Sequence, residues 1–306
     1  MQPGATLADV DRATKPYGLA VPLGVISATG VAGLCLGGGV GWLTRSDGLT
    51  ADNLESAEVI TAEGEHLHAS AREHPDLFWG LRGGGGNFGV VSSFTFRARR
   101  LPNPLLGGNL IYRPEHWYAA LTAYARWTEN LPSEMNSIIS ILRMPPEFEM
   151  GEKPVLVVGF NWMGPEYETG MALVDRLRAD APPDIEELGP VEWTQWQSVM
   201  DHVFPKGTRG YWKNTAFSRL DGEVIEALLS FATEVTWYGT GIDIHHMEGA
   251  VAQVPEDATA FPNRSARYWL NVYGFWQDPA EDERLTAFAR KAHAVMEPFA
   301  ETGQYI

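Results

Sequence analysis

This sequence predicts an α+β fold in two parts. Residues 1–103 form a glycine-rich, strand-bearing segment, and residues 104–306 form an antiparallel sheet covered on one face by helices. Three observations carry that expectation. Short runs of alternating apolar and polar residues, joined by brief connections, have the period of half-buried antiparallel strands. Other segments repeat apolar residues at helical spacing and fall singly between strands. The pattern changes at Arg99-Arg100-Leu101-Pro102-Asn103-Pro104, a basic, proline-bearing boundary.

In the first part a hairpin is expected with strands at 57–62 and 65–69 around Glu63-Gly64, followed by a strand at 90–96 with alternating faces. In the second, a helix starts at Pro114, a good first-turn residue, with Trp117, Leu121 and Tyr124 on one face. Strands follow at 137–143 and 155–161, then a helix through Met171, Val174 and Leu177. A strand at 211–218 precedes a helix at 222–235 whose stripe is Val224, Leu228, Phe231 and Val235. Strands at 241–247 and 268–276 complete the sheet, and a last helix is capped by Asp278 with Pro279 in its first turn.

Two glycine clusters dominate the first hundred residues: Gly37-Gly38-Gly39-Val40-Gly41 and Gly83-Gly84-Gly85-Gly86-Asn87-Phe88-Gly89. Backbone without Cβ atoms can press its N–H groups against a cofactor, or merely form tight turns. The second cluster contains a literal G-x-G-x-x-G, but a strand follows it where a Rossmann site needs a helix.

The order Gly37-Gly38-Gly39-Val40-Gly41-Trp42, then Gly48-Leu49-Thr50-Ala51-Asp52-Asn53-Leu54, then a hairpin, then Asp76 to Val91 resembles the flavin-binding oxidoreductases of the vanillyl-alcohol oxidase (PCMH) type. Within them it is similar to bacterial relatives of berberine bridge enzyme, because Tyr211-Trp212-Lys213, the stretch from His245 to Val251 and Ala260-Phe261-Pro262-Asn263-Arg264 fall in the family's order. The resemblance implies that 1–103 is the C-terminal part of an FAD-binding subdomain and 104–306 a substrate domain. It implies FAD contacts at Thr29, Gly30, Gly33, Gly37, Gly38, Gly39, Gly41, Asn53, Gly89, Val90 and Val91. The family's flavin-linking R-x-G-G-H loop and its Asn-Tyr segment with a tyrosine base have no match here, so the resemblance implies a member shortened at both ends. Its base would lie beyond Ile306, and it would carry no covalent flavin. Some relatives add a cysteinyl link, but the matching position is Ile26, and Cys35 in its apolar run reads as a small buried hydrophobe.

On the strand at 268–276 one face reads Tyr268, Leu270, Val272, Gly274 and the other Trp269, Asn271, Tyr273, Phe275. The aliphatic face should pack under helices and the polar-aromatic face should meet a ligand. Likewise Ile242 and Ile244 should face helices, with Asp243, His245 and Met247 toward the flavin. Tyr211, Lys213, His245, Trp269, Asn271 and Tyr273 are therefore the expected substrate-binding set. His245 and His246 point to opposite faces and do not share an ion, and no metal is expected. A net charge of −16 argues against nucleic acid or anionic lipid as partner, and no apolar run reaches the length of a membrane span. The expected function is FAD-dependent oxidation, as oxidase or dehydrogenase, of an alcohol, sugar or secondary metabolite, with molecular oxygen as the acceptor that the resemblance implies. The alternatives are a catalytically incomplete remnant acting as a binding or scaffold module, and a half-protein completed by another chain.

Overall fold

The computed structural model describes residues 1–144, 152–203, 207–235 and 239–301. The first part runs α1 (Leu7–Thr14), β1 (Leu19–Ala20), α2 (Val31–Leu36), α3 (Thr44–Asp47), β2 (Leu54–Ile60), β3 (His66–Ser70), α4 (Pro75–Gly80), β4 (Val90–Phe96) and β5 (Arg99–Arg100). Thr6 opens α1 with a capping box, its hydroxyl accepting from the Asp9 amide while the Asp9 carboxylate accepts from the Thr6 amide. The expected hairpin is β2–β3, and β4 joins β2 on its other side to give the antiparallel order β3-β2-β4. A small core of Val59, Phe78, Leu81, Val91 and Phe94 closes one face of that sheet.

The second part runs β6 (Leu105–Tyr112), α5 (Trp117–Thr128), β7 (Met135–Leu142), β8 (Val155–Trp162), α6 (Tyr167–Asp180), β9 (Ile185–Val191), α7 (Trp193–Gln197), β10 (Arg209–Phe217), α8 (Gly222–Ala232), β11 (Thr240–His246), α9 (Ala250–Gln253), β12 (Tyr268–Trp276) and α10 (Asp282–Met296). Among the described residues β6 to β12 form one antiparallel sheet in the order β10-β12-β11-β7-β8-β6-β9. Helices α5, α6, α8 and α10 lie on one face, where Trp117, Leu121, Val174, Leu228, Phe231 and Phe288 interlock with Ile139, Val158, Ile244, Leu270 and Val272. Each such side chain taken out of water contributes about 1.5–3 kcal/mol, which makes this layer the main stabilising core. Asp278 caps the turn that leads into α10 by accepting from the Ala280 amide.

Strands β6 and β9 escape the sequence pattern. β6 is buried on both faces and interrupted by Gly107-Gly108, so it neither alternates nor looks extended. β9 carries Gly189-Pro190, a turn signal that an edge strand tolerates because one side of its backbone needs no partner. The sheet face away from the helices is covered by the first part of the chain and by α7: Trp42, Leu43, Trp193 and Trp196 pack over Leu105, Ile138 and Met163.

Candidate active site

The face of the large sheet opposite α5, α6, α8 and α10 is organised in rows, because directly paired residues on neighbouring antiparallel strands point the same way. One row reads Asn214, Asn271, Asp243 and Ser140 on β10, β12, β11 and β7. The next reads Trp269, His245 and Ile138. Four adjacent polar side chains in the middle of a sheet are costly to bury without partners. Here Ser140 Oγ donates to Asp243 Oδ1 at 2.6 Å, and the phenol of Tyr273 interacts with the same carboxylate. Burial pushes the Asp243 carboxyl up to about 7, against the pull of those two hydroxyls. The Tyr273 phenol is itself driven well above its ordinary range by burial and by the carboxylate beside it.

His245 is buried against the Trp269 ring at 4.9 Å, and burial lowers it to about 3, so its imidazole is neutral. Its Nδ1 has no hydrogen-bond partner, nor has Oδ1 of Asn271. Both amide atoms of fully buried Asn161, on the same face of β8, are in that state too. His246 turns to the helix side, where it stacks on Tyr268 at 5.6 Å.

The placement of Tyr211 and Lys213 corrects the expected set. Tyr211 pairs with Gly274 and Lys213 with Val272, which puts both on the helix face. Tyr211 packs there beside Arg290 of α10, whose Nε donates to its hydroxyl at 3.2 Å. The β10 residues on the polar face are Trp212, which is 55% exposed, and Asn214.

The glycine-rich segments divide. Gly38 and Gly39 adopt φ of +113° and +81°, and a Cβ on them would lie 2.3 Å from the Phe261 ring and 2.3 Å from the Thr50 hydroxyl. On Gly41 it would lie 1.8 Å from the Leu23 carbonyl. These glycines therefore serve the protein's own close packing, and Gly37 ends α2 as its C-cap. Asn53 is committed as well, because its Nδ2 donates to the Asp47 and Leu49 carbonyls at 2.8 and 2.9 Å. Gly89 abuts the Ile60 carbonyl, Val91 is in the small core, and Val90 is 69% exposed. Gly30 and Gly33 differ: the direction of each missing Cβ has nothing within 4 Å. They lie with Thr29 at the start of α2, a segment fixed from behind by Leu7 N–H to Thr29 O and Val31 N–H to Ala5 O.

Two buried arginines join the parts and were not foreseen. Arg45 donates to the Met135 and Met247 carbonyls at 2.8 and 3.0 Å and lies 2.8 Å from His246 Nε2. Arg264 grips Asp52 through two hydrogen bonds of 2.7 and 3.0 Å, with Arg264 1% and Asp52 7% exposed. Glycine-poor, singly charged positions far apart in the chain give no local signal of such pairing.

Comparison with known proteins gives likenesses to flavin-dependent proteins. Residues 1–70 match the FAD binding domain family. An FAD-linked oxidoreductase of Dictyostelium discoideum is 27% identical over 98% of this chain and 64% of its own length. The BBE-like 1 protein of Physcomitrella patens superposes with a TM-score of 0.84 at 22% identity, covering all of this chain and 68% of that one. A glucooligosaccharide oxidase of Acremonium strictum superposes with a TM-score of 0.80 at 24% identity, covering 96% and 65%. The chain thus spans less than two-thirds of the length of the curated relatives it matches first, 64% and 59% of the first two. Residues 1–70 are similar to an FAD binding domain, the whole chain is similar in sequence to FAD-linked oxidoreductases, and its fold is that of the berberine bridge enzyme-like protein. Among the described residues no helix is long and apolar enough to cross a membrane.

Proposed function

We propose that this protein is an FAD-dependent oxidoreductase that oxidises an alcohol carbon of a small molecule, with Asp243 taking the hydroxyl proton and molecular oxygen as the final acceptor. The observation that carries the reading is a carboxyl whose value is raised to about 7 by burial on the sheet face opposite helices α5, α6, α8 and α10. A base poised near the working pH transfers protons most efficiently. Ser140 fixes Oδ1, and Tyr273 bears on the same carboxylate from β12. Neutral His245, with Nδ1 unpartnered, and Asn271, with Oδ1 unpartnered, can orient the substrate's polar groups.

The residues present fit the cofactor. The open Cβ directions at Gly30 and Gly33 leave backbone exposed for close approach, and with Thr29 they are the residues that would hold it. FAD, when bound, supplies the hydride acceptor, and the protein's share is orientation and exclusion of water. Titrating the purified chain with FAD and following the quenching of flavin fluorescence tests this assignment. Saturable binding that Gly33→Val weakens about tenfold or more supports it, and binding unchanged by Gly33→Val removes α2 from the site.

A further inference from the structure

The row that contains Asp243 continues past Ser140 across the rest of the sheet. Ser140 pairs with Val157, Val157 with Ile111 and Ile111 with Ile185. One line of paired residues therefore crosses all seven strands, polar from β10 to β7 and aliphatic from β8 to β9, with Ser140 at the change.

Over the aliphatic half lies a cavity of about 280 Å³. Its floor is Ser140, Val157, Ile111 and Ile185, and its roof is Val199, Met200 and Val203 from the segment after α7. Leu142 and Met144 close one end, while Asn109 and Glu187, paired across β6 and β9, also line an adjoining open groove of about 420 Å³ and mark the mouth. The roof is tied to the FAD-binding part: the Ser27 amide donates to Asp201 Oδ1 at 2.7 Å, the Ser27 hydroxyl donates to the same carboxylate, and Gln197 donates to the Gly24 carbonyl. The cavity thus lies between a wall fixed to the FAD-binding part and a floor that ends at the Ser140–Asp243 hydrogen bond.

We infer that this cavity takes the body of a neutral, predominantly apolar alcohol, its hydroxyl at the Ser140–Asp243 end and its hydrocarbon frame over Val157, Ile111 and Ile185, and that it rejects sugars. The inference rests on the proposed role of Asp243. A sugar carries a hydroxyl on nearly every carbon, and each one buried on this floor without a partner costs about 1–3 kcal/mol. The polar wall is confined to Ser140 at the inner end and to Asn109, Glu187 and His202. Glu187 at the mouth disfavours an anionic substrate. The fold likeness to a glucooligosaccharide oxidase does not decide the matter, because specificity follows the wall of the pocket rather than the fold.

Calorimetric titration of the chain without FAD reads the cavity alone. The probes are α-tetralol, a bicyclic secondary alcohol, and cellobiose. Saturable binding of α-tetralol is expected, weakened about tenfold or more by Val157→Phe, which fills the cavity from the floor, with no binding of cellobiose. Ile185→Phe, on the edge strand, repeats the blockade should Val157→Phe misfold, and circular dichroism reports folding for both. Cellobiose binding, no binding of α-tetralol, or α-tetralol affinity unchanged in the folded Phe variant each overturns the inference. Because this binding is read without turnover, a failed cavity assignment shows as lost or unblocked α-tetralol binding, whereas a failed role for Asp243 leaves that binding intact and shows only in turnover.

Discussion

The ring of Tyr273 crosses β11 directly over Gly241, where a Cβ would lie 2.6 Å from the phenol oxygen. Gly241 and Tyr273 are paired across the two strands, and the missing side chain lets the phenol lean along the sheet to Asp243, two residues further on. Gly241→Ala should displace the ring and weaken its hold on the carboxylate. The expected outcome is a drop in turnover with little change in FAD binding, measured in the FAD-loaded protein. Unaltered turnover would mean that Tyr273 has no part in positioning Asp243.

The raised Asp243 carboxyl fixes the sign of a pH effect. Its folded value of about 7 lies above its unfolded value near 3.8, so the folded state binds the proton more tightly. Stability from this group is full below about pH 4 and is lost as pH rises through about 7. Asp243→Asn should therefore melt near wild type below about pH 4 and increasingly above it as the pH rises to about 7, levelling off beyond, with a final difference on the order of a few kcal/mol. His245 and His246, lowered to about 3 by burial, act in the opposite sense and are common to both proteins. A melting difference that does not vary with pH would contradict the assignment.

The two kinds of glycine should respond differently to alanine. Gly38→Ala drives a Cβ into the Phe261 ring at a φ of +113° and should destabilise, by about 1–3 kcal/mol. Gly33→Ala enters open space within α2 and should stabilise, by about 0.5–1 kcal/mol. Urea denaturation of both variants measures this, and equal costs would refute the division.

Much of the sheet was legible because β12 alternates cleanly: Leu270 and Val272 pack under helices, and Asn271 and Tyr273 lie opposite. β10 was not legible in the same way, since Tyr211, Trp212, Lys213 and Asn214 put an aromatic and a polar residue on each face. Only the pairing of Asn214 with Asn271 sets its phase, and pairing is a long-range fact. The same holds for the site. Ser140 and Asp243 are 103 residues apart and meet because β7 and β11 are neighbours. The glycine clusters were visible, but that Phe261 and Thr50 fill the space beside Gly38 and Gly39 depends on how the two parts dock.

That docking has its own test. Arg264→Met leaves Asp52 buried with its main partner gone and should cost about 3–5 kcal/mol in chemical denaturation. A loss below about 1 kcal/mol would show that the pair is not what holds the first part of the chain against α9 and the segment after it.

The role of Asp243 is tested most directly by anaerobic mixing of the FAD-loaded chain with an alcohol that it oxidises, following the bleaching of the flavin band in wild type and Asp243→Asn. The amide keeps the shape and cannot take the proton, so bleaching should slow by about a hundredfold or more while FAD affinity is unchanged. Bleaching of Asp243→Asn at the wild-type rate, with FAD equally bound, would contradict the account.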